Sequence, residues 1–155
     1  MTALQILIDN RQKPMVSTRI LRKKTEQILS ALGCNHHELS IVIMDDAQIQ
    51  ALNHDFRGID QPTNVLSFPM QEGEFSDITP GLLGDLVISA QTAAREAEDA
   101  GITLEERMSQ LLVHGILHLM GFDHESGEQD ARQMEIKSLA LLKLIEPDNP
   151  DLPVF

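Results

Sequence analysis

Residues 111–120 read Leu-Leu-Val-His-Gly-Ile-Leu-His-Leu-Met, and this segment dictates much of what the rest of the chain must do. Wound as a helix it is apolar around nearly its whole circumference, apart from its two histidines. A helix of that kind is buried and central, so the other elements must be arranged around it. At 155 residues and 42% hydrophobic content the chain suits one domain with one ordinary core. With no Trp, no Tyr and only five Phe, that core falls to Leu, Ile, Val, Met and Ala. We read residues 1–155 as a single domain.

The pattern of elements is compatible with this. Leu4–Ile8 alternates like a strand, and Ser17 is placed to cap an amphipathic helix running to about Leu32, where Gly33 stops it. Leu39–Met44 is a compact β-branched run, expected as a buried strand. Asp45 or Asp46 then caps a second helix ending near Phe56, with Gly58 marking the turn. Val65–Phe68 reads as a third strand closed by Pro69, and Leu86–Ser89 as a fourth. Residues 70–83 lie between them without a period, and a loop of that length is usually mobile or functional. A helix follows from Ala90 to Ala100, stopped at Gly101. Thr103 with Glu106 forms a capping box opening the helix Leu104–Met120. Gly121 ends that helix, and a last one covers Glu128–Ile145. The order β-α-β-α-β-β-α-α-α predicts an α/β or α+β fold with about four strands and a helical layer.

Twelve basic against twenty-four acidic residues give a net charge of −12, which on its face disfavours a polyanionic partner. The distribution is uneven, however. Residues 1–24 hold Arg11, Lys13, Arg19, Arg22, Lys23 and Lys24 against Asp9 alone, so that segment carries +5 and the remainder −17. Such a chain can present one basic face to a phosphate backbone, or simply a solvated helix face. One cysteine, Cys34, excludes an internal disulfide framework and fits a reducing cytoplasm, as a small semi-buried thiol. No stretch reaches the roughly 18 apolar residues that span a bilayer, and the start lacks a signal peptide's apolar middle and cleavage site. A cytoplasmic protein without membrane contact is expected.

The chemistry concentrates at His114-Gly-Ile-Leu-His118-Leu-Met-Gly121-Phe-Asp123-His124. His114 and His118 are four apart, so on a helix they lie about 40° apart in azimuth and about 6 Å apart along the axis. Two imidazoles so placed can grip one tetrahedral ion. Continued helix would carry His124 roughly 9 Å beyond His118 and point it elsewhere. Gly121 can take the left-handed conformation that ends a helix and let the chain bring His124 back. Burying imidazoles without partners is unfavourable, and a shared cation supplies one. A lone histidine here would read as a core residue hydrogen-bonded to backbone; three at this spacing read as a metal site. The spacing H-x3-H-x2-G-x2-H equals that of metzincin proteases, but their general-base glutamate is replaced here by Gly115. Three neutral ligands would leave zinc an open position suited to water or an anionic phosphate. Asp123 either orients an imidazole or caps the turn. His36, His37 and His54 read as surface or cap residues.

Upstream, residues 56–69 (FRGIDQPTNVLSFP) form a dense turn leading into a short strand. Arg57 offers a planar, permanent cation suited to phosphate or its transition state, or else pairs structurally with Asp55 or Asp60. Three blocks together closely resemble the YbeY family of bacterial rRNA-maturation endoribonucleases. These are Arg57-Gly58 through Pro62-Thr63-Asn64-Val65-Leu66-Ser67-Phe68-Pro69, then Leu83-Gly84-Asp85-Leu86, then His114-Gly115 through Asp123-His124. The resemblance covers nearly the whole chain; Asn64 stands where many members have Asp, and both occur in the family. It implies an α/β fold with a four-stranded sheet and the histidine helix beneath it. It also implies one Zn2+ on His114, His118 and His124, with Arg57 and His114 as catalytic residues. The implied activity is single-strand-specific endoribonuclease action in maturation of the 16S rRNA 3′ end and in ribosome quality control. The implied partners are single-stranded ribosomal RNA and the small ribosomal subunit. Nothing is carried over for Asp85, which reads as a strand-start residue or as one that supports the site's residues from behind.

Zinc would polarise a phosphate oxygen or supply hydroxide while Arg57 stabilises charge on phosphorus. The sequence leaves the attacking oxygen open: water gives a 5′-phosphate product, the RNA's own 2′-hydroxyl a cyclic phosphate. Two competing readings are a ribosome assembly factor with a structural zinc and a metallohydrolase of another small substrate. Three ligands instead of four speak against the first.

Overall fold

The computed structural model describes residues 5–13, 15–34, 37–70, 82–122 and 127–154. Its elements run β1 (Gln5–Asn10), α1 (Thr18–Ala31), β2 (Glu38–Met44), α2 (Asp46–Arg57), β3 (Val65–Pro69), β4 (Leu82–Ser89), α3 (Ala90–Ala100), α4 (Leu104–Leu119) and α5 (Glu128–Ile145). The strands form one mixed sheet in the order β1-β2-β4-β3. β1, β2 and β4 are parallel, and β3 runs antiparallel to β4 along one edge. The fold is α+β.

Period-two alternation divides the strand side chains between two faces. Ile6, Leu39, Ile41, Ile43, Leu86 and Ile88 join the main core with residues of α1, α4 and α5. The alternate residues Met44, Leu66 and Val87 join Ile49 of α2 in a second, smaller cluster. Helix α4 packs against β3, β4, α1, α3 and α5. Its Leu111, Leu112, Ile116 and Leu117 are fully buried, each worth about 1.5–3 kcal/mol relative to exposure. The central position expected of the 111–120 segment is what the structure has.

Local signals set the ends of these elements. Ser17, Asp45, Ser89 and Thr103 each cap a helix, and Asp45 and Thr103 do so within capping boxes. The fourth strand begins earlier than its sequence suggests, at Leu82 instead of Leu86. Within this extension, a Cβ at Gly84 would lie 2.2 Å from the Phe68 carbonyl oxygen. The glycine permits close strand pairing and does not break it. Residues 82–83 of the expected loop are therefore strand, and residues 71–81 lie outside the described residues. Cys34 is buried, and burial pushes its thiol pKa up, the condition of an inert structural thiol. Among the described residues no helix is long and apolar enough to cross a membrane.

Candidate metal centre

The histidine helix starts from a strong anchor. Glu106 N–H donates to Thr103 Oγ1 at 3.0 Å, and Thr103 N–H returns the bond to Glu106 Oε1 at 2.9 Å. That backbone bond from Thr103, then Asn149 Nδ2 donating to the same carboxylate, hold the Glu106 pKa below its ordinary value. From Met108 to Leu119 every residue is buried except His114 and His118, which are half-buried. Those two rings thus occupy the one partly open strip of the helix.

Their ring centroids are 4.5 Å apart with planes at 76°, and His118 Nε2 lies 3.0 Å from His114 Nε2. Two ligand nitrogens on a tetrahedral ion with bonds of 2.0–2.1 Å stand roughly 3.3 Å apart. The observed pair fits that donor arrangement closely. Without a cation, a ring N–H of one can donate to the other, so the pair also satisfies itself.

Helix α4 ends as the sequence predicts. Gly121 has φ 96°, its N–H donates to the His118 carbonyl at 3.0 Å, and Phe122 N–H donates to the Leu117 carbonyl at 3.0 Å. This is the Schellman arrangement, with Phe122 packed on the core as its hydrophobic partner. Helix α4 therefore stops at Gly121, in the left-handed conformation expected of that glycine. The expected third ligand, His124, and its neighbour Asp123 lie outside the described residues. Among the described residues no group of three His, Cys, Asp or Glu could hold a metal ion.

Gly115, between the histidines in sequence, has a packing reason. A Cβ there would lie 2.2 Å from Leu86 Cδ1, and Leu86 is fully buried. Helix α4 approaches β4 so closely that any side chain at this position would have to displace Leu86. Ser67 Oγ of β3 donates to the Gly115 carbonyl at 3.2 Å, tying the edge strand to the helix beside His114.

Arg57 is the last residue of α2, followed by the left-handed cap Gly58. The following turn is held by Asn53, which is buried and donates from Nδ2 to the Gln61 carbonyl at 2.9 Å. Arg57 is exposed, and neither carboxylate considered for it is its partner. Asp55 stands 3.5 Å from His54, and Asp60 Oδ1 accepts from Gln50 Nε2 at 3.0 Å. Its charge therefore faces outward. His54 is exposed, as expected; His37 is half-buried, and its Nδ1 is buried with no hydrogen-bond partner among the described residues. His36 lies outside the described residues. Asp85 is an exposed residue within β4. A hollow of about 710 Å³ involving Asp85, Phe56 and Phe68 opens on the α2 face of the sheet, away from the side chains that pack on α4.

One feature of the site escaped sequence reasoning. Asn64, immediately before β3, is bound to Glu96 of α3, which in turn binds Arg107 of α4. The available signal was that Arg107 precedes His114 by seven residues and so shares its helical face.

Fold and site together define a class: an α+β protein with a four-stranded mixed sheet and a buried helix presenting paired imidazoles. The chain belongs to the endoribonuclease YbeY family, whose model matches residues 7–146, and with the family comes the endoribonuclease class of activity. It is 52% identical to an endoribonuclease YbeY of Geobacter sulfurreducens over 92% of this chain and 97% of that one. It is 45% identical to an endoribonuclease YbeY of Aquifex aeolicus, over 86% and 94% of the two chains. The solution structure of TM1509 from Thermotoga maritima superposes with a TM-score of 0.67 at 24% identity, covering 92% of this chain and 90% of that one. That likeness concerns the fold.

Proposed function

We propose that this chain is a zinc-dependent, single-strand-specific endoribonuclease of the cytoplasm, acting on ribosomal RNA at the 3′ end of 16S rRNA. Its partner would be the small ribosomal subunit, with a role in ribosome quality control. The observation that carries the metal reading is the 3.0 Å approach of the His114 and His118 Nε2 atoms on the half-open strip of α4. His114, His118 and His124 would hold one Zn2+, His124 reaching the site after the turn at Gly121. Bound there, zinc supplies a Lewis acid for a phosphodiester oxygen and lowers the pKa of a water.

The chain's own groups do the rest. Arg57, exposed and without a carboxylate partner among the described residues, binds the phosphate and offsets the negative charge that builds on phosphorus. The Asn53-held turn steadies the backbone that follows Arg57. The buried flanks of α4 fix both imidazoles without loop motion, so little ordering is left for the moment of reaction.

Metal analysis and cleavage of a single-stranded RNA, run side by side on the native chain, His114→Ala and Arg57→Ala, test this. The native chain should carry about one zinc and cut; His114→Ala should lose both properties; Arg57→Ala should keep its zinc and lose cleavage. Equal loss of zinc and cleavage in Arg57→Ala would refute the role given to Arg57. Chelation that unfolds the native chain would favour a structural metal instead.

A further inference from the structure

Glu96 sits where three elements meet, and among the described residues it belongs to no group that could hold a metal ion. Both its carboxylate oxygens accept from Asn64 Nδ2, at 3.1 and 3.2 Å. Oε1 also accepts from Arg107 Nε at 3.1 Å and Nη2 at 3.0 Å. The third arm of Arg107, Nη1, donates to Gln110 Oε1 at 2.8 Å, and Gln110 Nε2 donates to the Pro153 carbonyl at 2.6 Å. Arg107 is mostly buried, with a side-chain exposure of 15%.

Such a network is more than α3 needs to pack. Its Ala90, Ala93 and Ala97 are already buried in the interior, and a partly exposed ion pair adds little stability by itself. What the network adds is register. Asn64 lies seven residues after Arg57 at the far end of the turn, and its carbonyl accepts from Ser89 N–H at 3.0 Å. Arg107 lies on the face of α4 that carries the histidines, within about 20° of His114 and about 10 Å before it along the axis. The edge strand β3 is therefore tied to α4 at two points: through Ser67 beside His114, and through Asn64, Glu96 and Arg107 at its start. Two ties set the tilt of a strand that has only one sheet neighbour. With the second tie removed, the start of β3 and the turn bearing Arg57 keep only the pairing with β4 to hold them against α4.

We propose that Glu96 is a positioning residue for RNA cleavage. By bridging Asn64 and Arg107 it holds the Arg57 turn and β3 in register with the histidine face of α4. This rests on the nuclease reading above.

Steady-state cleavage of a single-stranded RNA oligonucleotide, thermal melting and amide hydrogen exchange on the native chain, Asn64→Ala, Glu96→Ala and the double variant test the assignment. Asn64→Ala removes only the turn's arm and leaves the Glu96–Arg107 pair intact, so it keeps the test open even if Glu96→Ala folds poorly. The expected result for Asn64→Ala is a kcat lowered about ten- to a hundred-fold, with KM within about twofold and melting close to native. Exchange should quicken at the β3 amides and stay slow in α4. The double variant should lose no more kcat than Glu96→Ala, because both act through one link. A native kcat in Asn64→Ala, additive losses in the double variant, or kcat, KM and melting all falling together would each overturn the assignment. A native chain that leaves the RNA uncut would bring down the nuclease reading itself and this role with it, and that outcome is read from the unmutated protein alone.

Discussion

Gly115 shows how one residue can be silent in sequence and decisive in structure. In the sequence it registers only as a missing glutamate, which argues against a protease. In the structure its hydrogen lies against Leu86, and any larger side chain must displace a fully buried leucine. Gly115→Ala should therefore destabilise the chain by about 1–3 kcal/mol through overpacking, despite alanine's better helix propensity. Combined with Leu86→Ala, the double variant should be more stable than the sum of the two losses predicts, measured by denaturant unfolding. Simple additivity would mean that the contact does not govern the position. Asp46 gives a second residue-scale expectation. Burial acts to raise its pKa, but the Arg95 hydrogen bond, the Thr92 and Ser89 hydroxyls and the Arg95 charge together outweigh this and lower it below 3.8. A carboxyl whose pKa is lower folded than unfolded contributes stability that is present above the unfolded value and lost as pH falls through the folded one. The native chain should thus lose more stability than Asp46→Asn as pH is taken below 3.8; parallel melting curves would remove Asp46 from the acid transition. Neither contact was readable in advance, because each joins residues nearly thirty or more positions apart.

All nine elements appear in the expected order, because their ends are written in short-range chemistry. Capping boxes, helix-ending glycines and period-two runs each act within a few residues. The limits fail where a residue has a distant reason: β4 begins at Leu82 because Gly84 answers to Phe68 across the sheet. β1 runs on through Asp9 and Asn10 because β2 pairs with them. Strand order is wholly non-local, and no spacing within the chain announces β1-β2-β4-β3. The end of α4 is the element on which the site turns. Gly121 holds φ 96°, where an L side chain is strained by about 1–3 kcal/mol. Gly121→Ala should lower the melting temperature of the metal-free chain modestly. If His124 completes the site, it should weaken zinc binding by a larger factor than that strain alone, as read by competition with a chromophoric chelator. Unchanged affinity would show that the third ligand does not depend on this turn.

At the scale of the whole molecule the question is how a chain of net charge −12 would hold RNA. The basic N-terminal segment supplies fewer surface charges than its count suggests. Lys24 is drawn inside, bound to Glu146 and to Ser109 Oγ, the latter at 2.9 Å. Arg22 Nη1 donates to the Ile6 carbonyl at 2.6 Å, and Arg11 is paired with Asp9 at 2.9 Å. Among the described residues of the segment this leaves Lys13, Arg19 and Lys23 exposed. Arg19 and Lys23 are four apart on α1 and so share a face. If that face follows the RNA backbone, each cation on a phosphate contributes about 0.7 to the slope of log affinity against log salt for a single strand. Replacing both with glutamine should reduce the slope by about 1.4, weaken binding of every sequence alike, and leave zinc content and melting untouched. The measurement is a binding titration of a single-stranded RNA at several salt concentrations. A slope unmoved by the double replacement would place the backbone elsewhere, and the charge on α1 would then be a solvated helix face with no part in substrate binding.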